Sequence, residues 1–254
     1  MLLCIDVGNT NIKLGLFNGS EMRFHWRIST DRTRLADEYA MLLRALFTSK
    51  GIEIQEIDGC AISSVVPALT QVFVEVARRF LNLEPLVMGP DVRTGIKVIT
   101  EYPVEVGADL VMNALAARHL YGSPVIVIGF GTATTFVAVS SEGDIVGVAI
   151  APGVATSGDS LFRATSTLPQ VSLTRPRSAL GKNTIQSLQA GFVFGFAGLV
   201  EELVKRIKKE LGGQPHVVAT GGLAEVILPE TTSIEAVEPN LALIGLRLLY
   251  EFNH

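Results

Sequence analysis

The stretch Asp6-Val7-Gly8-Asn9-Thr10-Asn11-Ile12-Lys13 governs the reading of this chain, because one apolar run leads into it and another resumes after it. Leu2, Leu3, Cys4 and Ile5 read as a buried strand, and Leu14, Gly15, Leu16 and Phe17 as its hairpin partner. A Gly-Asn pair is common in tight hairpin turns, so an ordinary turn is one reading. The other is a phosphate loop. Backbone N–H groups would face an anion, Gly8 would let the backbone approach it, and the Asp6 carboxylate would hold magnesium. Taken alone, the segment leaves both open.

The same grammar returns further on. Val125-Ile126-Val127-Ile128 runs into Gly129-Phe130-Gly131-Thr132-Ala133-Thr134-Thr135, and Phe136-Val137-Ala138-Val139 follows. A third element, Val217-Val218-Ala219-Thr220-Gly221-Gly222-Leu223-Ala224, is a strand whose double glycine opens a helix. Two phosphate hairpins followed by a strand-Thr-Gly-Gly loop resemble the sugar kinase, actin and chaperone ATPase superfamily, and their order tips the first hairpin toward nucleotide.

A chain of 254 residues, 48% hydrophobic and 18% charged, has material for a generous core, and the repeated hairpin favours two domains. Net charge is −4. The most basic run, Lys205-Arg206-Ile207-Lys208-Lys209, follows Leu199, Val200 and Leu203 at helical spacing and reads as a solvated helix face, not a nucleic-acid site. Met1 leads directly into a strand, so no secretory leader is expected, and no apolar stretch looks long enough for a membrane helix. Cys4 and Cys60 lie in apolar runs and read as buried reduced thiols, which suits a cytoplasmic protein. His25, His119, His216 and His254 share no ligand spacing and are read as structural.

Between the hairpins, strands are expected at 24–28, 59–65 and 85–87, and helices at 36–47 and 69–80. Ser63 and Ser64 end a strand before Pro67 and are expected to face a cleft. Asp109 stands at the start of an apolar helix over 110–119, either as a cap or as a carboxylate at a cleft mouth. Beyond the second hairpin come a strand at 145–150, helices around Leu161 and over 184–209, and a closing helix over 241–252. Gly191, Gly195 and Gly198 share one helix face, fit for close packing within the chain or at a dimer seam. Strands alternating with helices give an α/β protein, with domains over 1–115 and 116–254.

The ordered motifs Asp6-Val-Gly-Asn-Thr10, Glu105-Val-Gly-Ala-Asp109, Gly131-Thr-Ala-Thr-Thr135, Ala151-Pro-Gly153, Leu168-Pro169, Gly181-Lys-Asn-Thr184 and Ala219-Thr-Gly-Gly222 together resemble type III pantothenate kinases over essentially the whole chain. The resemblance implies two similar actin-like (ribonuclease H-like) domains with mixed sheets flanked by helices. It also implies a homodimer that moves the γ-phosphate of ATP to pantothenate, the first step of coenzyme A synthesis, with magnesium and potassium or ammonium. Carried over by position, Asp6, Val7, Gly8, Asn9, Thr10, Asn11, Ile12 and Lys13 hold ATP, with Asp6 on its magnesium, and Thr132 contacts ATP from the second hairpin. Gly107, Ala108, Asp109, Leu110 and Thr184 lie against pantothenate, with Asp109 the general base. Where the family has arginine after that aspartate, this chain has Leu110. Gly129 stands where a family aspartate holds the monovalent cation, and Thr100 where a tyrosine meets pantothenate, with Tyr102 close by. A catalytically silent relative binding a nucleotide or pantothenate-like ligand in a regulatory role is the alternative.

Overall fold

In the computed structural model, described for residues 1–89 and 91–254, the chain divides into two compact units. Unit 1 comprises Met1–Ile96, Tyr102–Ala116 and Leu241–His254; unit 2 comprises Lys97–Glu101 and Ala117–Asn240. The main division falls at Ala116/Ala117, beside the expected 115/116, but the last fourteen residues join unit 1.

Unit 1 opens with the antiparallel strands β1 (Leu2–Val7), β2 (Asn11–Asn18) and β3 (Glu21–Ser29). Then come α1 (Ala36–Thr48), β4 (Gly59–Ser64), α2 (Pro67–Phe80), β5 (Leu86–Val87) and the start of α3 (Ala108–Tyr121). Sheet order is β3-β2-β1-β4-β5, with β4 parallel to β1. Burial of alternate residues sets the two faces. Leu3, Ile5 and Val7 of β1, Ile12, Leu14 and Leu16 of β2, and Cys60 and Ile62 of β4 join Tyr39 and Phe47 of α1 and Leu69 and Phe73 of α2 in one core. The opposite face takes α7 (Leu241–Asn253), the last helix of the chain. On that face a Cβ added at Gly15 would meet Leu243 at 3.1 Å, one at Gly59 would meet Tyr250, and the Arg247 guanidinium lies 5.9 Å over the Phe17 ring.

Unit 2 repeats the plan with β6 (Val125–Phe130), β7 (Ala133–Val139), β8 (Ile145–Pro152), α4 (Val154–Ala164), α5 (Thr184–Leu211), β9 (His216–Gly221), α6 (Ala224–Ile227) and β10 (Ala236–Val237). Its order, β8-β7-β6-β9-β10, matches that of unit 1 strand for strand, parallel and antiparallel pairs included. The alternation of buried residues is the same: Ile126 and Ile128 of β6, Phe136 of β7 and Val217 and Ala219 of β9 share a core with α5.

Helix ends follow local chemistry. Pro67 begins α2, two residues before the expected start, because its missing N–H costs nothing in a first turn. The Asn183 side chain accepts from Gln186 N–H at 2.9 Å and Gln186 Oε1 accepts from Lys182 N–H at 3.0 Å, so α5 starts in a reciprocal cap. Contrary to expectation, α5 is long and apolar enough to cross a membrane by length and composition. Its buried Val193, Ala197, Val200 and Val204 instead pack at helical spacing inside the unit 2 core.

Candidate active site

The first hairpin loop is tied down from both sides. Gly8 N–H donates to Asn11 O at 3.1 Å, and the Thr30 hydroxyl donates to Gly8 O at 2.7 Å. Thr30 N–H donates to Thr10 O at 3.0 Å, and the Arg32 guanidinium donates to Asn9 Oδ1 at 3.0 Å. A Cβ on Gly8 would lie 2.9 Å from Asn11 O, so glycine is what this turn accepts without moving its own backbone. Asn9 and Thr10 are exposed, Gly8, Asn11 and Lys13 half-buried, and Val7 and Ile12 buried in the core below. The last two support the loop and do not reach a ligand with their side chains.

Strand register places Lys13, Asp6 and Ser63 in one row across β2, β1 and β4, on the face opposite α1 and α2. Asp6 is buried, and loss of water pushes its carboxyl from 3.8 up to about 6. The Lys13 ammonium works against that rise, and the Asp109 carboxylate adds to it. Ser63 has no exposed surface, and its hydroxyl has no hydrogen-bond partner. The two serines therefore part company: the Ser64 hydroxyl donates to Val66 O and accepts from Val66 N–H, both at 3.1 Å, and helps seat the turn into α2.

Asp109 is the second residue of α3, which begins at Ala108, two residues earlier than expected. Its carboxyl is raised, chiefly by burial, against the lowering effect of N–H donors at the helix start and of Lys13. Asp109 is thus a half-buried carboxylate that accepts from N–H groups at the helix start, as the cap reading expects. Gly107 O accepts from Leu110 N–H at 3.0 Å and from Val111 N–H at 3.2 Å. A Cβ at Gly107 would lie 2.7 Å from Asp109 Oδ1, so the absent side chain leaves room for the carboxylate. Ala108 is half-buried, and Leu110 is buried and offers only an apolar wall. One turn beyond Asp109 on α3, Asn113 is buried with its carbonyl oxygen unpartnered, a residue that no motif had marked.

In unit 2 the second hairpin turns through Gly131, whose N–H donates to Ala133 O at 3.0 Å. Thr132 O accepts from Gly153 N–H at 3.1 Å and from the Thr156 hydroxyl at 2.7 Å, joining the hairpin to the start of α4. The row equivalent to Lys13–Asp6–Ser63 is Thr135–Gly129–Thr220. A Cβ at Gly129 would lie 2.6 Å from the Thr135 hydroxyl oxygen. Thr184 begins α5 and is exposed. The Thr100 hydroxyl is buried in unit 2 without a partner, whereas Tyr102 is an exposed residue of unit 1.

Oxygen donors around Asp6, including the unpartnered Ser63 hydroxyl, suit a magnesium ion that travels with nucleotide phosphates. Gly129 does not fit the anionic side of a potassium or ammonium site, since its row holds two neutral hydroxyls and no carboxylate. Among the described residues no group of three or more His, Cys, Asp or Glu side chains could hold a metal ion. The basic run of α5 is partnered by acids: Lys205 and Arg206 pair with Glu202, and Lys208 with Glu235. An apolar cavity of about 290 Å³ in unit 2, between Phe162, Leu168, Phe192 and Leu223, contains none of the expected site residues.

Paired hairpins on two sheets of one topology give the chain an actin-like fold of two similar domains. The fold recurs in the activator of the 2-hydroxyisocaproyl-CoA dehydratase from Clostridium difficile with bound ADPNP, at a TM-score of 0.53 and 14% identity over 99% of this chain and 94% of that one. It recurs in the inorganic polyphosphate/ATP-glucomannokinase from Arthrobacter sp. strain KM, at a TM-score of 0.51 and 14% identity over 100% and 99%. The family model for type III pantothenate kinases matches residues 2–206. A type III pantothenate kinase from Roseiflexus sp. (strain RS-1) is 53% identical over 253 residues, 100% of this chain and 99% of that protein. The chain belongs to the type III pantothenate kinase family.

Proposed function

We propose that the chain transfers the γ-phosphate of ATP to the terminal hydroxyl of pantothenate, giving 4'-phosphopantothenate for coenzyme A synthesis. The observation that carries the reading is the electrostatic neighbourhood of Asp6, Lys13 and Asp109 beside the first hairpin of unit 1. Backbone N–H groups of the Gly8–Asn11 turn and the Lys13 ammonium receive the phosphates, and Thr132 meets ATP from the second hairpin. A primary alcohol is a weak nucleophile, and a carboxylate within hydrogen-bond reach accepts its proton as phosphoryl transfer proceeds. Asp109 is that base, and its raised carboxyl is a better proton acceptor than an ordinary aspartate. Magnesium, when bound with ATP, neutralises charge on the transferred group, and Asp6 is the side chain that holds it. Gly107, Ala108, Leu110 and Thr184 contact pantothenate, and Leu110 gives its carboxylate no donor. No role in the reaction is assigned to a monovalent cation.

The protein acts as a homodimer in the cytoplasm, by the same proposal. Supporting the dimer, Gly191, Gly195 and Gly198 of α5 are exposed, and a Cβ added at any of them meets nothing within 4 Å. The close packing expected of them within the chain is absent among the described residues. The two cysteines are buried free thiols, in keeping with a reducing compartment.

A coupled assay with ATP, pantothenate and magnesium, run with and without potassium or ammonium, tests the activity. Formation of 4'-phosphopantothenate is expected both with and without the monovalent cation. Nucleotide binding without product would overturn the kinase reading, and light scattering at 27.2 kDa rather than twice that would overturn the dimer.

A further inference from the structure

The Ser63 hydroxyl is the one polar group of the Lys13–Asp6–Ser63 row with nothing to bond to. It has no exposed surface, so bulk solvent does not reach it. A buried hydroxyl left without a partner is a standing cost, and such groups in folded proteins call for an explanation. Packing alone does not require oxygen here, since alanine has nearly the same volume. Local structure does not use it either: the neighbouring Ser64 makes both hydrogen bonds of the turn into α2. Ser63 is the penultimate residue of β4, which runs parallel to β1, and ligands of open α/β sheets gather beyond the carboxyl ends of parallel strands.

Unit 2 provides a second, independent occurrence. Thr220 is the penultimate residue of β9, at the position equivalent to Ser63, and its hydroxyl is likewise buried and unpartnered. Two sheets of the same order leave the same oxygen unsatisfied, so the feature belongs to the fold and not to a local accident of packing.

We propose that the Ser63 hydroxyl is a nucleotide-binding group, bonding to an oxygen of the magnesium–phosphate portion of ATP beside Asp6. This rests on the kinase reading above. The proposal predicts opposite effects in the empty and loaded protein. Without ligand, Ser63→Ala removes an unsatisfied group and leaves the melting temperature unchanged or raises it. With ligand, it removes a hydrogen bond to a charged partner, which weakens magnesium–nucleotide binding about tenfold to a hundredfold.

The experiment measures melting of the full chain without ligand, and calorimetric affinity for a non-hydrolysable ATP analogue with magnesium, for the parent, Ser63→Ala and Ser64→Ala. Expected are an unchanged or higher ligand-free melting temperature with weakened binding for Ser63→Ala, and a lower melting temperature with parental affinity for Ser64→Ala. Parental affinity in Ser63→Ala, while the parent phosphorylates pantothenate, overturns the Ser63 assignment alone. A Ser63→Ala protein that melts lower without ligand and keeps its affinity marks a purely structural serine and overturns it too. A parent chain that binds no magnesium–nucleotide removes both this assignment and the kinase reading.

Discussion

Replacing Asp6 by asparagine should make the ligand-free protein more stable at neutral pH, though the same change destroys its nucleotide site. Burial raises the Asp6 carboxyl from 3.8 to about 6, so between those values the folded chain holds a proton that the unfolded chain has released. The stability this provides is fully present below about pH 4 and is lost as pH rises through about 6. One pKa unit corresponds to about 1.4 kcal/mol, so the buried charge costs up to about 3 kcal/mol at pH 7.5. Asparagine keeps the shape and carries no charge. Trp26 is the chain's single tryptophan, lies in unit 1 and stacks on Phe24 at 5.9 Å, so its fluorescence during urea unfolding reports on the unit that contains Asp6. The expected result is a gain of up to about 3 kcal/mol for Asp6→Asn at pH 7.5 that shrinks to nothing near pH 4. With magnesium and an ATP analogue present at pH 7.5, the order should reverse, because only the parent is stabilised by binding. A variant less stable than the parent at pH 7.5 without ligand, or a difference that ignores pH, would refute the reasoning.

Asp109→Ala should lower turnover by about 10²–10⁴ if the carboxylate takes the substrate proton, whereas loss of its helix-end role alone costs about 0.5–2 kcal/mol of stability; melting measured beside rate separates the two. Gly107→Ala places a methyl 2.7 Å from Asp109 Oδ1 and should lower kcat while leaving the KM for ATP near its parental value, since the first hairpin is untouched; steady-state kinetics checks the split. Gly245→Ala drives a Cβ into the Met112 backbone and should destabilise unit 1 by about 1–3 kcal/mol, read from Trp26 fluorescence in urea.

Both hairpins and Asp109 were legible in the sequence because each rests on local order: an apolar run, a glycine turn, a carboxylate before an apolar helix. The Lys13–Asp6–Ser63 row was not, since it depends on the register of three strands, and register is fixed by pairing between distant segments. Ser63 and Ser64 looked alike as neighbours, yet successive strand residues point to opposite faces, and only one lies beside Asp6. The start of α3 was misplaced because Leu110, Val111, Met112 and Ala114 to Ala117 are all buried, which leaves little periodicity to mark a first turn. The extent of α5 was legible to within two residues, but its glycines read as breaks in the apolar run, whereas they form an exposed stripe on an unbroken helix long and apolar enough to cross a membrane. The home of α7 was invisible because its apolar pattern states that a face is covered and not which sheet covers it.

The membership of α7 in unit 1 bears on how the chain comes to be made. Unit 1 supplies the first strands to leave a ribosome, yet the helix that covers their Asp6 face follows the whole of unit 2 in the chain. Unit 2 is contiguous apart from Lys97–Glu101, so it has all of its residues before unit 1 does. Domains fold as units during synthesis when their residues are available. The order of folding therefore runs against the order of the chain: the half that emerges first is completed last, with Cys4, Gly15 and Phe17 uncovered until Leu241–Asn253 arrives. Nascent chains stalled before Leu241 should resist protease in the unit 2 segment and be cut in β1 to β3, and equal protection of both would exclude this order. The first sheet of the protein waits for the last helix to be synthesised.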